Sequence, residues 1–100
     1  MIIVREVVIT KPGQASKLAK LFKKAFGSDK NIRILTDLVG NYNTVVTETQ
    51  MKSLADFEKE MEEYRSGKPD PRITPELAEE LSKYTEMYQT GRREIYQIVE

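Results

Sequence analysis

The side chains with chemistry to offer in this chain are arginines, carboxylates and tyrosines. Arg5 lies inside the run IIVREVVIT (2–10), and Arg92, Arg93 and Glu94 lie inside TGRREIYQIVE (90–100). Both runs are dominated by β-forming residues. Asp37, Glu48 and Gln97 also fall in stretches that read as strands. Strand residues in a sheet covered on both sides are often buried, and a buried charge must be paired. Two readings of the arginines follow. One of them can orient a carboxylate or enolate by a bidentate bond, or each can close a structural Arg–Glu pair. Tyr64, Tyr84 and Tyr88 combine an apolar body with a polar tip, which suits a pocket between helices and sheet. They also stand at helical spacing, which suits plain core packing. Arg5, Tyr64, Tyr84, Tyr88 and Arg93 are therefore the candidate ligand-binding residues, and no residue stands out as catalytic.

What is missing narrows the chemistry further. The 100 residues include no Cys and no His. Disulfides, thiolate nucleophiles, Cys-based zinc sites and iron–sulfur clusters are excluded. So are Ser-His-Asp catalysis and histidine-held haem. The expectation is that the protein carries no metal and no cofactor. Catalysis would fall to Asp, Glu, Tyr, Lys, Arg or a reactive substrate. Net charge is +0, so no general attraction to nucleic acid or to an anionic membrane is expected. The apolar runs are too short to span a bilayer, and charges interrupt the first ten residues where a signal peptide needs its apolar stretch. A cytoplasmic location is the expectation.

The elements that must position these side chains are legible. Residues 2–10 predict a strand, and KPG at 11–13 breaks it. Ala15, Leu18, Leu21, Phe22, Ala25 and Phe26 follow the stripe of an amphipathic helix, with Gly27 placed as its C-terminal cap. Residues 31–39 and 44–50 predict two strands joined by the hairpin GNYN. Ser53 and Asp56 form a Ser-x-x-Asp capping box at the start of a helix with Leu54, Phe57, Met61 and Tyr64 on one face. SGKPDPR (66–72) cannot continue it. Thr74 and Pro75 start a third helix, with Leu77, Leu81, Tyr84 and Tyr88 on one face and Gly91 ending it before the last strand. The length fits one domain, residues 1–100. The order β-α-β-β-α-α-β is the split pattern of an α+β, ferredoxin-like fold: a four-stranded antiparallel sheet with the helices on one face.

Such a sheet leaves its other face uncovered, and here both faces are apolar. Ile3, Val7 and Ile9 share one side of the first strand with Arg5; Ile2, Val4 and Val8 share the other with Glu6. Ile32, Ile34 and Leu38 oppose Leu35 and Val39 on the second. Ile95 and Val99 oppose Tyr96 and Ile98 on the last. A second copy is the simplest cover, so a homodimer packed sheet on sheet is expected. The same alternation puts Arg92 and Arg93 on opposite faces, so they cannot form one clamp within a subunit.

Three segments carry a family resemblance: ITKPGQASKLAKLF (9–22), GNYNTVVTETQMKSLADFEKEM (40–61) and GRREIYQIV (91–99). In order and spacing the chain resembles the dimeric α+β barrel proteins, in their antibiotic-biosynthesis-monooxygenase-like and NIPSNAP-like branches. The resemblance implies a dimeric barrel. It also implies a range of activities that includes cofactor-independent oxygenases, haem-degrading enzymes and isomerases. The absence of Trp and His, and the polar VVTETQMK ahead of the second helix, set this chain apart from the haem-degrading members. No catalytic residue is carried over.

Two functional readings result. One is a small-molecule-binding protein, a cofactor-independent monooxygenase or isomerase acting on an enolisable or aromatic compound. The other is a non-catalytic binding or assembly module whose role is dimerisation. The lysines of 11–24 face an acidic second helix and lack interleaved aromatics, so no nucleic-acid site is expected. Complementarity between the first two helices, or simple solvation, is the better account.

Overall fold

The computed structural model describes residues 1–100. The elements are β1 (Ile2–Thr10), α1 (Ala15–Phe26), β2 (Ile32–Thr36), β3 (Thr44–Met51), α2 (Leu54–Arg65), α3 (Pro75–Ser82), the single turn α4 (Tyr84–Met87) and β4 (Tyr88–Gln97). The strands form one antiparallel sheet in the order β2-β3-β1-β4, with β1 and β3 central. This is the ferredoxin-like α+β arrangement expected from the element order. No helix is long and apolar enough to cross a membrane.

The core forms where α1 meets the sheet. Leu18 and Leu21 pack on Val45 of β3, with Val8, Phe22, Ile34, Leu77, Leu81 and Met87 around them. The helix starts follow their caps. The Ser53 hydroxyl accepts the Asp56 N–H at 3.3 Å, and the Thr74 hydroxyl accepts the Leu77 N–H at 3.2 Å with Pro75 in the first turn.

Four local expectations are corrected. The second strand ends at Thr36 rather than Val39, and Leu38 and Val39 stand 98% exposed in the turn that follows. That turn is closed by side chains. Asp37 Oδ1 accepts the Thr44 N–H at 3.1 Å, and Asn43 is tied to the end of β1 through Thr10 and Gly13. Its positive-φ residues are Tyr42 and Asn43, not Gly40.

The third helix stops at Ser82, and the last strand begins at Tyr88, before Gly91. Tyr88 and Thr90 are β-formers, and they pair with Thr10 and Ile9 across a register shift that ends the β1–β4 ladder. Gly91 is a strand residue beneath the Tyr88 ring, where an added Cβ would lie 2.9 Å from Cε2. Close approach, rather than helix termination, calls for glycine there. Gly27 is similar: its φ is −67°, not left-handed, and a Cβ would collide with the Lys23 carbonyl.

Finally, α1 packs against α3 and α4 rather than against α2. One of its lysines reaches α3, with Lys24 Nζ 3.6 Å from Glu80 Oε2. The acidic α2 has no buried residue.

Candidate functional site

The strand register decides which charged side chains meet. Arg33 of β2, Glu48 of β3, Arg5 of β1 and Glu94 of β4 stand directly opposite one another, strand by strand. They therefore form one row across the whole sheet, on the face away from the helices. Arg5 Nε lies 3.1 Å from Glu48 Oε2, and Arg5 Nη1 donates to Glu94 Oε1 at 3.4 Å. Arg33 donates to the other oxygen of Glu48, and Arg92 Nε donates to Glu94 Oε2 at 3.1 Å. Each carboxylate thus lies between two guanidinium groups. The Arg92 hydrogen bond, aided by the Arg92 and Arg5 charges, holds the Glu94 carboxyl below its ordinary pKa. Glu48 is the most enclosed member, its side chain 15% exposed. Arg5 Nε is shielded from water yet makes no hydrogen bond, because the Glu48 oxygen lies off its axis.

The helix side of the sheet holds a separate pair. Arg93 Nε donates to Glu6 Oε1 at 2.6 Å, and its guanidinium lies 5.4 Å from the centre of the Phe57 ring. Arg93 so ties α2 to the sheet edge. Arg92 and Arg93 lie on opposite faces, as the alternation of the last strand requires, and each meets a glutamate of this chain.

The tyrosines are dispersed. Tyr84 and Tyr88 form an edge-to-face pair with ring centres 6.0 Å apart. Tyr64 stands 78% exposed at the end of α2. Arg5 and Arg93 are on opposite sides of the sheet. Within the chain, the five candidate ligand-binding residues do not converge, and both arginines among them hold carboxylates of that chain. Where α1 meets the sheet, the space is filled by the Leu18–Leu21–Val45 cluster. A groove of about 310 Å³ lies instead between α1 and the α3–α4 corner, lined by Lys17, Lys20, Leu21, Lys24, Glu80, Lys83 and Met87. The spacing of Lys17, Lys20 and Lys24 signalled one helix face. Lys83 and Glu80 joined them only through packing.

The long connection between α2 and α3 is held by one arginine. Arg72 Nη2 lies 2.7 Å from Asp70 Oδ2 and Nη1 3.0 Å from Asp29 Oδ2, and its guanidinium lies 5.1 Å from the Phe26 ring centre. The Arg72 side-chain hydrogen bond keeps the Asp70 carboxyl below its ordinary 3.8. A depressed carboxylate stabilises the fold above its unfolded-state pKa, because the folded state favours the ionised form that both states then carry. That contribution is lost as pH falls through the folded value. Asp70→Asn should therefore lower the thermal midpoint near neutral pH, and by progressively less as pH falls toward and through the folded value. Melts from pH 7 to 2 check this, and an equal loss at both ends would contradict it.

No protein-family model matches the chain, and no curated protein matches it. Solved structures do match, over nearly its full length. A NIPSNAP-family protein of unknown function from Agrobacterium tumefaciens superposes with a TM-score of 0.73 at 15% identity, covering 98% of this chain and 87% of its own. An uncharacterised NIPSNAP domain protein from Burkholderia xenovorans gives 0.73 at 12%, covering 99% and 95%. A candidate antibiotic biosynthesis monooxygenase from Deinococcus radiodurans gives 0.63 at 11%, covering 100% and 94%. The fold is that of the NIPSNAP and antibiotic biosynthesis monooxygenase proteins. Identities this low carry the NIPSNAP-like fold alone and no activity.

Proposed function

We propose that this NIPSNAP-like chain is a homodimeric assembly module joined through the open face of its sheet. The observation that carries the proposal is how little the protomer buries. Only ten of its 100 residues are buried, and small domains bury too little of their surface to be more than marginal alone. The open face presents Leu35 at 38% and Tyr96 at 50% exposure, around the charged row. β4 is open on both sides, with Ile95 exposed as well as Tyr96. Apolar surface of this kind marks interaction sites, and a second copy offers a sheet of the same shape. The filled space between α1 and the sheet favours assembly over an enclosed reaction chamber in each protomer.

A second reading, small-molecule binding with or without catalysis, draws support from the lysine groove. Four ammonium groups above Leu21 and Met87, opposed by the single carboxylate of Glu80, suit an organic anion with an apolar part. Native mass spectrometry of the purified protein addresses both readings. Dimerisation predicts a species of twice the 11.5 kDa chain; a monomer at micromolar concentration would overturn the proposal. A stoichiometric non-protein mass on the protein, removed by Lys20→Glu, would support the second reading; a bare protein would count against it.

A further inference from the structure

The arginines of the sheet and of the α2–α3 connection are all paired. Arg5, Arg33, Arg92 and Arg93 meet glutamates, and Arg72 meets Asp29 and Asp70. The lysines in the groove between α1 and the α3–α4 corner break this pattern. Lys17, Lys20 and Lys83 have no carboxylate at ion-pair distance, and Lys24 has only Glu80, at 3.6 Å, with both side chains more than half exposed. A pair so exposed is weak. Four ammonium groups against one carboxylate leave the groove a surplus of three positive charges, in a chain of net charge +0.

The helix itself gives no reason for this surplus. α1 (ASKLAKLFKKAF) holds no carboxylate. Lys17 and Lys20 stand three positions apart and Lys20 and Lys24 four, so like charges share one face, a spacing that destabilises a helix. Lys24, in the last turn, gains from the negative end of the helix dipole. Lys17 lies in the first turn, at the positive end, where a cation is unfavourable. Nor does packing require them, since Leu18, Leu21 and Ala25 do the burying and the lysines are exposed.

The floor beneath the ammonium groups is apolar. Leu21 is 6% exposed, and Met87 packs on the core cluster. A complementary ligand joins concentrated negative charge to a short apolar body. No arginine lines the groove. Arginine grips a planar carboxylate through two parallel N–H groups, whereas lysine presents a compact point charge that suits phosphate. A carboxylate brings one charge; a phosphate monoester brings about 1.5 to 2 near neutral pH and three acceptor oxygens, enough to engage several lysines at once. The groove's volume of about 310 Å³ is at the small end of ligand sites, which run from about 300 to 1,000 Å³. α1 exposes no large apolar side chain to enter a bilayer, which favours a free molecule over a membrane surface.

We infer that the groove between α1 and the α3–α4 corner binds a small soluble phosphate ester, with its phosphate among Lys17, Lys20, Lys24 and Lys83 and its apolar group over Leu21 and Met87. The inference rests on the small-molecule reading given second above, narrows its anion to a phosphate, and is independent of the dimer.

Calorimetric titration of the full chain with n-hexyl phosphate, hexanoate and inorganic phosphate tests it. Hexyl phosphate should bind one per chain, about tenfold or more tighter than either of the others. Lys20→Glu should weaken hexyl phosphate by about tenfold or more. It also relieves the repulsion within α1, so the variant should melt no lower than wild type. Lys23→Glu is the control: it makes the same charge change on the same helix, but Lys23 runs beside Gly27 and does not line the groove. It should leave the affinity within about twofold, since an exposed charge acts weakly at a distance in salt. Equal losses from the two variants would show attraction to general positive charge and overturn the site. Hexanoate binding as tightly as hexyl phosphate, and lost with Lys20→Glu, would overturn the phosphate while leaving the small-molecule reading standing. Inorganic phosphate binding as tightly as hexyl phosphate would remove the apolar group from the inference. Failure of all three anions to bind would overturn both the inference and that reading. Sedimentation with phosphatidylcholine vesicles, with and without phosphatidic acid, separates the remaining source. Capture by the phosphatidic acid vesicles without binding of hexyl phosphate would replace the soluble ligand by a lipid headgroup and overturn the inference.

Discussion

Leu18→Ala should cost about 2–5 kcal/mol and lower the thermal midpoint by roughly 10 °C or more. Leu18 is 0% exposed and sits against Leu21 and Val45 at the centre of the α1–sheet core. Truncation removes apolar area from that contact. It also leaves a cavity the neighbours cannot fill without moving α1 off β3. The effect is large because the core is small. A domain of this size typically has about 5–15 kcal/mol in all, and few other residues here are fully buried to share the load. Tyr64→Ala is the matched control. It lies on the apolar stripe of α2 yet is 78% exposed, so its change should stay within about 0.5 kcal/mol. Denaturant and thermal unfolding at one fixed protomer concentration check both. Equal losses at the two positions would show that α2 is covered in solution as thoroughly as α1.

Glu48→Ala is the second large effect, expected at about 2–3 kcal/mol. Glu48 takes contacts from Arg5 and Arg33 together and is the most enclosed carboxylate of the row. Removing it leaves two guanidinium groups on adjacent strands without the charge between them. Breaking a fully buried pair costs about 3–5 kcal/mol, and an exposed one at most about 1; this site lies between. The double variant Arg5→Met/Glu48→Met should recover most of the loss, because replacing both partners by apolar groups removes the unpaired charge. If the double variant is as unstable as Glu48→Ala, the row is not the source of the effect.

Sequence periodicity was enough to place the first strand, the first helix and the capped starts of the second and third helices. Each rests on local chemistry: a β-branched run, an apolar stripe, a side-chain oxygen aimed at a free N–H. The ends of elements were less legible. Tyr88 continues the apolar spacing of α3 yet belongs to β4, because pairing with Thr10 on β1 outweighs one more helical turn. Leu38 and Val39 look like strand residues but lie in the turn closed by Asp37 and Asn43. The lysines of α1 look complementary to the acidic α2, but the one that pairs with a helix, Lys24, meets Glu80 of α3, since the Leu77–Leu81 face packs beside Leu18 and Leu21.

The candidate site shows the same division. Sequence alone identified Arg5, Asp37, Glu48 and Arg93 as strand charges in need of partners, though Asp37 lies in the turn after β2, and it placed Arg92 and Arg93 on opposite faces, because side chains alternate along any strand. It also removed histidine and cysteine chemistry outright. Which glutamate meets which arginine was decided only by the tertiary structure. Arg5 and Glu94 are 89 positions apart in the chain. Their meeting depends on strand order and on a register that a slip of one residue would turn to the other face. Local preferences determine what each segment becomes, whereas the register between distant strands is set by how all four bury their apolar sides at once.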